Sequence, residues 1–497
     1  MNIEYIIVQA GGEGTRMGAL TKNKPKALVP VENKPILFHL FDKFPDKKFI
    51  IIADYKKNML KEYLECFFDA EYIVADTEGT GTCAGLNKSL SFIPDDKAFM
   101  IIWSDLILPD AFTLPSKKGN YIGISQSFPC RWKYQNGNFS ENSSTDHGVA
   151  GLFIFHDKSF LDGLPESGEF VRWLQNNDMH FGEVGLAGAR EFGLLSDFNK
   201  LEQEKCRPFN KITTDGDVLV KESVDSQGEN LARSEREWYI AAIEKGVTAI
   251  PRIYSCNPLR MERIEGKCIY EYSGLTYNDK RDILKKVADA LKGLHDLERI
   301  KADAFSVKQA YYTKTMERIS KVRDLIPLAD RKTLVINGRE CKNIYFCKRE
   351  LEQKLGSISC KSFAFIHGDC TFSNIMLKND TEPVFIDPRG YFGHTGLYGD
   401  PNYDWAKLYY SIMGNYDRFN LKDFQLDISG NEVELTIKSN NWEDMQQDFF
   451  IMSGSDPEII NLLHAVIWLS LTTYAWHNYD SVCGAFYHGL YCLAEVL

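Results

Sequence analysis

The chain has 497 residues, of which 44% are hydrophobic and 26% are charged. This length suits two or three domains, each large enough to bury a core of its own. The net charge of −11 argues against nucleic acid as the main partner, because a phosphate backbone requires a basic protein face. Nucleotides need only a few local cations and amides, so they remain compatible with this composition.

Twelve cysteines are scattered along the chain without a CxxC pair, which disfavours a disulfide scaffold or a zinc site and favours a reducing compartment. No basic stretch precedes the first apolar run, so we expect no signal peptide and a cytoplasmic protein. The apolar segment 459–476 is interrupted by polar residues and predicts a buried helix rather than a membrane span. The sequence does not set the oligomeric state, and a homo-oligomer stays open.

The first half of the chain alternates between two kinds of pattern. Short apolar runs at residues 6–8, 49–52 and 99–103 predict strands, and helical periodicity lies between them at residues 36–44 and 58–66. Strands that alternate with helices are typical of α/β domains. We therefore predict a Rossmann-like domain, with a mostly parallel sheet and helices on both faces.

The second half has a different order of elements. A strand at residues 218–221 precedes a helical pattern at 232–245 and a strand pair at 253–264, and long helical patterns follow at 279–297 and 308–325. This order predicts a two-lobed, protein-kinase-like α+β domain. The predicted domains are residues 1–205, then a small lobe at 206–265 and a helical large lobe at 266–497.

A glycine-rich loop follows the first predicted strand, in the run AGGEGTRM at residues 10–17. Glycines allow backbone amides to approach a triphosphate closely and to form an anion-binding nest. The run LTKNKPKALVPV at residues 20–31 follows. Together the two runs resemble the signature of the sugar-1-phosphate nucleotidyltransferase family over about residues 1–205. The candidate nucleotide-binding residues of the loop are Gly11, Gly12, Gly14 and Thr15.

The resemblance also implies roles for individual side chains. It assigns Arg16 to the leaving pyrophosphate and Lys26 to the α-phosphate, where cations stabilise developing charge. A second glycine segment, with Gly81 and Thr82, corresponds to the part of the family that contacts base and ribose. Asp105, at the end of a predicted strand, and Glu191 stand where the family binds Mg²⁺, although Glu191 replaces the usual aspartate.

The strongest motif of the second half is FIHGDCTFSNIML at residues 365–377, followed by VFID at 384–387. It resembles the aminoglycoside phosphotransferase and choline kinase family over about residues 206–497. The resemblance implies that Asp369 accepts or orients the proton of the substrate hydroxyl and that Asn374 and Asp387 hold Mg²⁺.

The predicted small lobe supplies the remaining nucleotide contacts that the kinase resemblance implies. Lys221, on the strand, would bind the α- and β-phosphates of ATP. Glu237, on the next helix, would pair with Lys221, and Glu235 is the competing choice.

Three further residues are candidates for binding the acceptor. Arg389 could face a phosphate or an anionic acceptor, or it could pair with Asp400. Trp405 and Trp468 belong to an aromatic-rich segment that either packs in the core or lines an acceptor pocket. Aromatic faces suit the C–H surface of a sugar and also a quaternary ammonium group.

The two resemblances predict consecutive reactions. A kinase would phosphorylate a small hydroxyl metabolite with ATP, and a nucleotidyltransferase would join that phosphate to a nucleotide from CTP or UTP. The expected product is a nucleotide-activated precursor of surface glycan or cell wall, with a sugar phosphorylated at its anomeric hydroxyl as the favoured acceptor. One alternative is a choline or amino-alcohol kinase coupled to a cytidylyltransferase. In another, one of the two domains is a nucleotide-binding regulatory module.

Overall fold

The structure is a computed structural model that describes residues 1–77, 79–193, 198, 210–223 and 226–497. The chain divides into two units, Met1–Gln203 with His477–Tyr479 and Glu204–Trp476 with Asp480–Leu497. The boundary predicted between residues 205 and 206 lies outside the described residues.

A nine-stranded sheet forms the centre of the N-terminal unit. Its strands are Ile3–Gln9, Lys48–Ala53, Tyr72–Asp76, Ala98–Trp103, Tyr121–Ser125, Lys133–Gln135, Asn138–Ser140, Gly148–Phe155 and Gly182–Leu186. In the described part of this unit, α-helices span Ile36–Lys43, Lys57–Phe67, Leu86–Ser91 and Phe170–Asn176. The predicted α/β class is confirmed.

The order of the strands determines where a ligand can bind. Strand Ile3–Gln9 pairs in parallel with Lys48–Ala53 on one side and with Ala98–Trp103 on the other. Successive strands are therefore added first on one side of Ile3–Gln9 and later on its other side, beginning with Ala98–Trp103. In open α/β sheets, ligands bind beyond the carboxyl ends of the strands where the strand order reverses in this way. The sheet is mixed, because Gly148–Phe155 pairs antiparallel with Ala98–Trp103.

The strand Gly148–Phe155 shows why this sheet needs a glycine at one position. All eight of its residues are buried. Gly151 has φ +82°, and a Cβ atom there would overlap the ring of Trp103. Any other residue would meet both a strained backbone and a clash with the indole, so the local packing of this strand requires glycine.

The C-terminal unit begins with a four-stranded antiparallel sheet and one long helix. The strands are Asn210–Asp215, Val218–Ser223, Ile253–Cys256 and Leu259–Glu262, and the helix is Ser226–Glu244. Buried Trp238 and Tyr239 of this helix pack in one core with Leu259 and Met261 of the sheet. The strands and the helix predicted for the small lobe are therefore present.

Helices dominate the remainder of this unit. They are Tyr277–His295, Ala304–Lys308, Lys314–Lys321, Lys348–Gly356, Pro401–Ile412, Tyr416–Asn420, Gln446–Ser453, Pro457–Leu471 and Tyr479–Leu493. Short strands accompany them at Gly266–Cys268, Arg299–Lys301, Thr333–Ile336, Arg339–Lys342, Ser362–Phe365, Ile375–Lys378, Glu382–Phe385, Tyr398–Gly399, Phe424–Ser429 and Glu432–Ile437. Among the described residues, every helix is too short or too polar to cross a bilayer.

Candidate active sites

The glycine-rich loop of the N-terminal unit lies directly after strand Ile3–Gln9. Gly14 has φ +71°, and a Cβ atom there would lie 3.0 Å from Thr21 and 3.1 Å from Lys26. The loop therefore folds back on the segment that carries Lys26. Gly12 has no atom within 4 Å of the position its Cβ would take, so this part of the loop leaves room for a ligand.

Lys26 and Asp105 meet at the carboxyl end of the sheet. The ammonium group of Lys26 forms an ion pair with the carboxylate of Asp105, which is 8% exposed. Asp105 directly follows strand Ala98–Trp103, and the backbone N–H of Ser104 donates a 3.3 Å hydrogen bond to Gln9 O. The reversal of strand order beside strand Ile3–Gln9 thus brings two predicted site residues into contact, although they are far apart in sequence.

Glu191 and Arg16 lie at the same edge. Glu191 is paired with Leu106 in a short antiparallel ladder, and the N–H of Phe192 donates a 3.0 Å hydrogen bond to Asp105 O. A Cβ atom on Gly193 would lie 2.5 Å from Glu191 Oε1 and 3.5 Å from Arg16 Nη2. The four side chains predicted for catalysis and metal binding therefore lie together.

A nearby thiol reports on the charge of this region. Burial, together with the negative charges of Glu191 and Asp105, raises the pKa of Cys130 to about 12. Two carboxylates beside a triphosphate-binding loop are hard oxygen donors and fit Mg²⁺, which takes one or two protein carboxylates and completes its shell with phosphate oxygens and water. Among the described residues, no three His, Cys, Asp or Glu side chains form a metal cage.

The second glycine segment makes structural contacts that the sequence did not predict. Thr82 Oγ1 accepts a 2.7 Å hydrogen bond from the N–H of Phe170, and the N–H of Cys83 donates to Gly168 O at 3.0 Å. A Cβ atom on Gly81 would overlap that same carbonyl oxygen. Gly81 and Thr82 therefore hold the segment against residues 168–170, and their contact with a nucleotide stays a prediction.

In the C-terminal unit, Lys221 bridges the small lobe and the loop that carries Asp387. Its Nζ lies 2.8 Å from Asp387 Oδ1 and 2.8 and 2.9 Å from the two carboxylate oxygens of Glu235. Burial opposes the charge of Lys221, but the carboxylates of Asp387 and Glu235 outweigh it and raise its pKa. This arrangement holds the ammonium group of Lys221 between the two carboxylates, and its contact with nucleotide phosphates stays a prediction.

The predicted pairing of Lys221 with Glu237 is wrong, and Glu235 takes that place. The two glutamates are about 200° apart around the helix axis, since each residue turns the chain by about 100°. Glu235 shares the inward face with buried Trp238 and Tyr239, whereas Glu237 is exposed to solvent.

Asp404 fixes the loop that carries Asp369. It accepts hydrogen bonds from the N–H groups of His367 (2.9 Å) and Gly368 (2.7 Å), and His295 Nε2 lies 3.0 Å from it. His367 Nε2 in turn lies 3.0 Å from Ile386 O, and burial lowers the pKa of His367. Through these contacts, His367 and Asp404 stabilise the conformation of the loop that carries Asp369.

Asn374 connects the loop of Asp369 to that of Asp387. The side-chain Nδ2 of Asn374 donates a 2.9 Å hydrogen bond to Asp369 O. The backbone carbonyl of Asn374 accepts a 3.0 Å hydrogen bond from the N–H of Ile386. Because the amide nitrogen is engaged, the side-chain oxygen of Asn374 is the atom available to a cation. An amide oxygen and the Asp387 carboxylate are ligands that suit Mg²⁺ beside nucleotide phosphates.

The three residues predicted to contact the acceptor have different surroundings. Arg389 is half-buried and donates a 3.2 Å hydrogen bond to Tyr403 Oη rather than pairing with Asp400. Trp468 is fully buried, and its indole N–H donates to His464 Nε2 at 2.9 Å, which contradicts a role in a pocket wall. Trp405 is 5% exposed and packs edge-on against His295, so it too belongs to the core.

The sequence reasoning missed several charged and aromatic residues around Asp369. Lys407 Nζ lies 2.8 Å from Asp369 Oδ1. Lys314 lies over the ring of Tyr403, 5.6 Å from its centre. Lys407 directly follows the run GDPNYDWA at residues 399–406 and lies four residues after Tyr403. Residues four apart share one face of a helix, so this spacing could have identified Lys407. Lys314 lies in no motif and has no such signal.

Two family models match the chain, one in each unit. Residues 6–116 match the MobA-like NTP transferase domain, and residues 209–427 match the phosphotransferase enzyme family. The N-terminal unit is thus similar to the first family and the C-terminal unit to the second.

Sequence relatives match the N-terminal part. The bifunctional protein GlmU of Methanococcus maripaludis is 30% identical over 122 residues, which are 24% of this chain and 29% of that protein. The UTP–glucose-1-phosphate uridylyltransferase AglF of Haloferax volcanii is 41% identical over 108 residues, or 20% of this chain and 43% of that protein. The chain thus spans less than half the length of these curated relatives.

Among solved structures, the CTP:phosphocholine cytidylyltransferase of Streptococcus pneumoniae is 19% identical to this chain, with a TM-score of 0.33. The match covers 40% of this chain and 97% of that one.

Proposed function

We propose that the chain is a bifunctional transferase that makes a nucleotide-activated building block in two steps. The C-terminal domain phosphorylates a hydroxyl of a small metabolite with ATP. The N-terminal domain then joins the new phosphate to a nucleoside monophosphate from a second nucleotide and releases pyrophosphate. Such a product would serve as a cytoplasmic precursor of surface glycan or cell-wall material.

One observation carries the kinase half of this proposal. Lys221 contacts Glu235 and Asp387 at 2.8–2.9 Å, so the lysine proposed to bind phosphate is in direct contact with the carboxylate proposed to bind a cation. Asp369 lies on a neighbouring loop, where its backbone carbonyl accepts a hydrogen bond from the side-chain amide of Asn374. Lys221 would bind the phosphates of ATP while Asp369 orients the acceptor hydroxyl and takes its proton.

The contacts of Lys26 and Asp105 support the nucleotidyltransferase half. Lys26 would stabilise charge on the α-phosphate and Arg16 would stabilise the leaving pyrophosphate. Asp105 and Glu191 would hold Mg²⁺ in this domain, and Asn374 and Asp387 would hold it in the kinase domain. When bound, Mg²⁺ would neutralise phosphate charge and align the phosphates for attack.

A sugar is the favoured acceptor. The relative from Haloferax volcanii is named for a reaction of UTP with glucose 1-phosphate, and it matches the part of this chain that carries the triphosphate loop. The kinase would therefore phosphorylate the anomeric hydroxyl of a sugar, and the resulting sugar 1-phosphate would be the substrate of the N-terminal domain.

The test is mass spectrometry of the products formed by purified full-length protein. The mixture contains ATP, Mg²⁺, CTP, UTP and a panel of sugars, sugar phosphates, sugar acids and amino alcohols. A nucleotide sugar supports the proposal, whereas a CDP-alcohol would move the acceptor class to the amino alcohols. Formation of a phosphorylated acceptor without pyrophosphate release would remove the second step.

Two variants separate the two steps. Asp369→Asn should abolish phosphorylation but still allow transfer to a phosphorylated acceptor that is supplied directly. Asp105→Ala should do the reverse. Kinase activity retained in Asp369→Asn, or nucleotidyl transfer retained in Asp105→Ala, would refute the corresponding site.

A further inference from the structure

Four cationic side chains from three separate elements converge beside Asp369. Lys314 and Arg318 lie one turn apart on helix Lys314–Lys321, and Lys407 lies on helix Pro401–Ile412. Arg389 follows Asp387 on the loop that precedes the strand at residues 391–392. Apart from Lys407, these side chains are half-buried and still reach solvent, so a bound molecule could touch them.

Two tyrosines connect these cations into one site. Tyr403 receives the 3.2 Å hydrogen bond of Arg389, and its ring centre lies 5.6 Å from Lys314 Nζ. The ring centre of Tyr474 lies 4.4 Å from the guanidinium of Arg318 and 5.9 Å from that of Arg389. Lys314, Arg318 and Arg389 therefore belong to one connected cluster of side chains.

The charges within this site do not balance. Asp369 pairs with Lys407 at 2.8 Å. Within the part of the chain that the structure describes, no carboxylate forms an ion pair with Lys314, Arg318 or Arg389. Arg318 donates instead to Ser470 O (2.9 Å) and Ser470 Oγ (3.0 Å). Three cations close together and partly removed from water repel one another, and the faces of neighbouring aromatic rings offset only part of this repulsion.

The ionisation of this cluster shows the same excess of positive charge. Burial lowers the pKa of Lys314 to about 8, and the neighbouring Arg389 and Arg318 contribute to the shift. Burial raises the pKa of Tyr403, but Lys314, Arg389 and Lys407 outweigh this effect and lower it to about 7. An anionic ligand would offset the positive charge that contributes to both shifts.

We propose that the acceptor of the kinase domain carries an anionic group, a phosphate or a carboxylate, in addition to the hydroxyl that is phosphorylated. Lys314, Arg318 and Arg389 would hold this group, because guanidinium and ammonium groups pair with phosphate and carboxylate oxygens. The cationic site disfavours choline and other quaternary ammonium acceptors, which would meet like charge. The inference rests on the proposed kinase function and narrows its substrate class.

The reaction balances with this acceptor. The hydroxyl oxygen forms a bond to the γ-phosphorus of ATP, and the bond between that phosphorus and the bridging oxygen of ADP breaks. The hydroxyl proton passes to the carboxylate of Asp369. The anionic group takes no part in bond making and serves only to place the hydroxyl beside Asp369.

The first experiment compares matched acceptors at fixed Mg-ATP in full-length protein. The set contains neutral hexoses, the corresponding 6-phosphates and uronic acids, and choline with ethanolamine. We expect kcat/KM to be highest for a phosphorylated or carboxylated sugar. Preferred turnover of a neutral sugar or of an amino alcohol would overturn the inference and leave the kinase function standing.

The second experiment measures binding without catalysis. Inorganic phosphate is titrated by calorimetry into wild type and into Lys314→Gln and Arg389→Gln. Loss of one charged contact should weaken the kinase-domain event by about 10- to 100-fold. Arg389→Lys keeps the charge and should recover part of the affinity. Arg349→Gln, at an exposed position of helix Lys348–Gly356, is the matched control and should bind as wild type does.

The two experiments separate the inference from the function on which it rests. Phosphate binding that depends on Lys314 and Arg389, with no acceptor phosphorylated, would support the anion site and refute the kinase function. Phosphate binding that is unchanged in both variants would overturn the anion site. In an active kinase, the variants should raise KM for the anionic acceptor while kcat changes less, and a defect that is equal for neutral and anionic acceptors would overturn the inference.

Discussion

The two glutamates of helix Ser226–Glu244 offer a matched test of the kinase site. Glu235→Gln removes a charge whose side chain is 7% exposed and which lies 2.8 Å from Lys221. A charge-assisted hydrogen bond contributes about 1.5–3 kcal/mol, and each 1.4 kcal/mol corresponds to a factor of ten. Asp387 still pairs with Lys221 in the variant. We therefore expect kcat/KM for ATP to fall by about 10- to 100-fold, with no collapse of the fold.

Glu237→Gln is the control, because it makes the same chemical change on the exposed face of the same helix. We expect its kcat/KM for ATP to stay within about twofold of wild type, as for most surface substitutions. Steady-state phosphorylation measures both variants, and nucleotidyl transfer in the same samples reports on the integrity of the other domain. The reasoning fails if Glu237→Gln loses as much activity as Glu235→Gln, or if Glu235→Gln loses none.

Three further predictions concern single positions. Asp105→Asn should lower nucleotidyl transfer by at least about 100-fold in a pyrophosphate-release assay and leave phosphorylation intact, because it removes a ligand charge; equal loss of both activities would point to misfolding. Gly14→Ala should impair nucleotidyl transfer because of the φ of +71° and the contact with Lys26, whereas Gly12→Ala should be milder in the same assay; the reverse order would contradict the geometry of the loop. Binding of sulfate, whose charge is constant in this range, to the kinase domain should weaken as pH rises through about 7, since the pKa of Tyr403 is lowered to about 7 and its phenol then ionises beside Lys314, Arg389, Lys407 and Asp369. Tyr403→Phe should flatten this pH profile, and a profile like that of wild type would refute the assignment.

The sequence predicted those features that depend only on residues close together in the chain. Apolar runs and the glycine loop gave the first strand and the turn after it, and the run at residues 365–377 identified the loop of Asp369. These signals are local, because a strand and its following turn are decided by neighbouring residues. The α/β class and the strands and helix of the small lobe followed from the same patterns.

Contacts that depend on the face of a helix were harder to predict. Glu235 and Glu237 have the same chemistry and differ by two positions, so only the position of buried Trp238 and Tyr239 decides which one faces Lys221. The prediction that Trp468 contacts the acceptor was wrong for a related reason. An aromatic residue in an apolar helix suits a pocket and a core equally well, and Trp468 packs in the core, where it donates a hydrogen bond to His464.

The acceptor site shows why catalytic machinery is easier to find in a sequence than specificity. Asp369, Asn374 and Asp387, which we propose as the proton acceptor and the Mg²⁺ ligands, stand in two neighbouring runs that the kinase resemblance made recognisable. Lys314, Arg389 and Lys407 come from three elements and converge only in the folded chain, because a binding site for one particular acceptor imposes no fixed spacing in sequence. The excess of cations beside the proposed catalytic residue Asp369 is therefore visible only in the folded structure. It supports an anionic acceptor more strongly than the buried aromatic residues of the C-terminal segment support a sugar or a quaternary ammonium group.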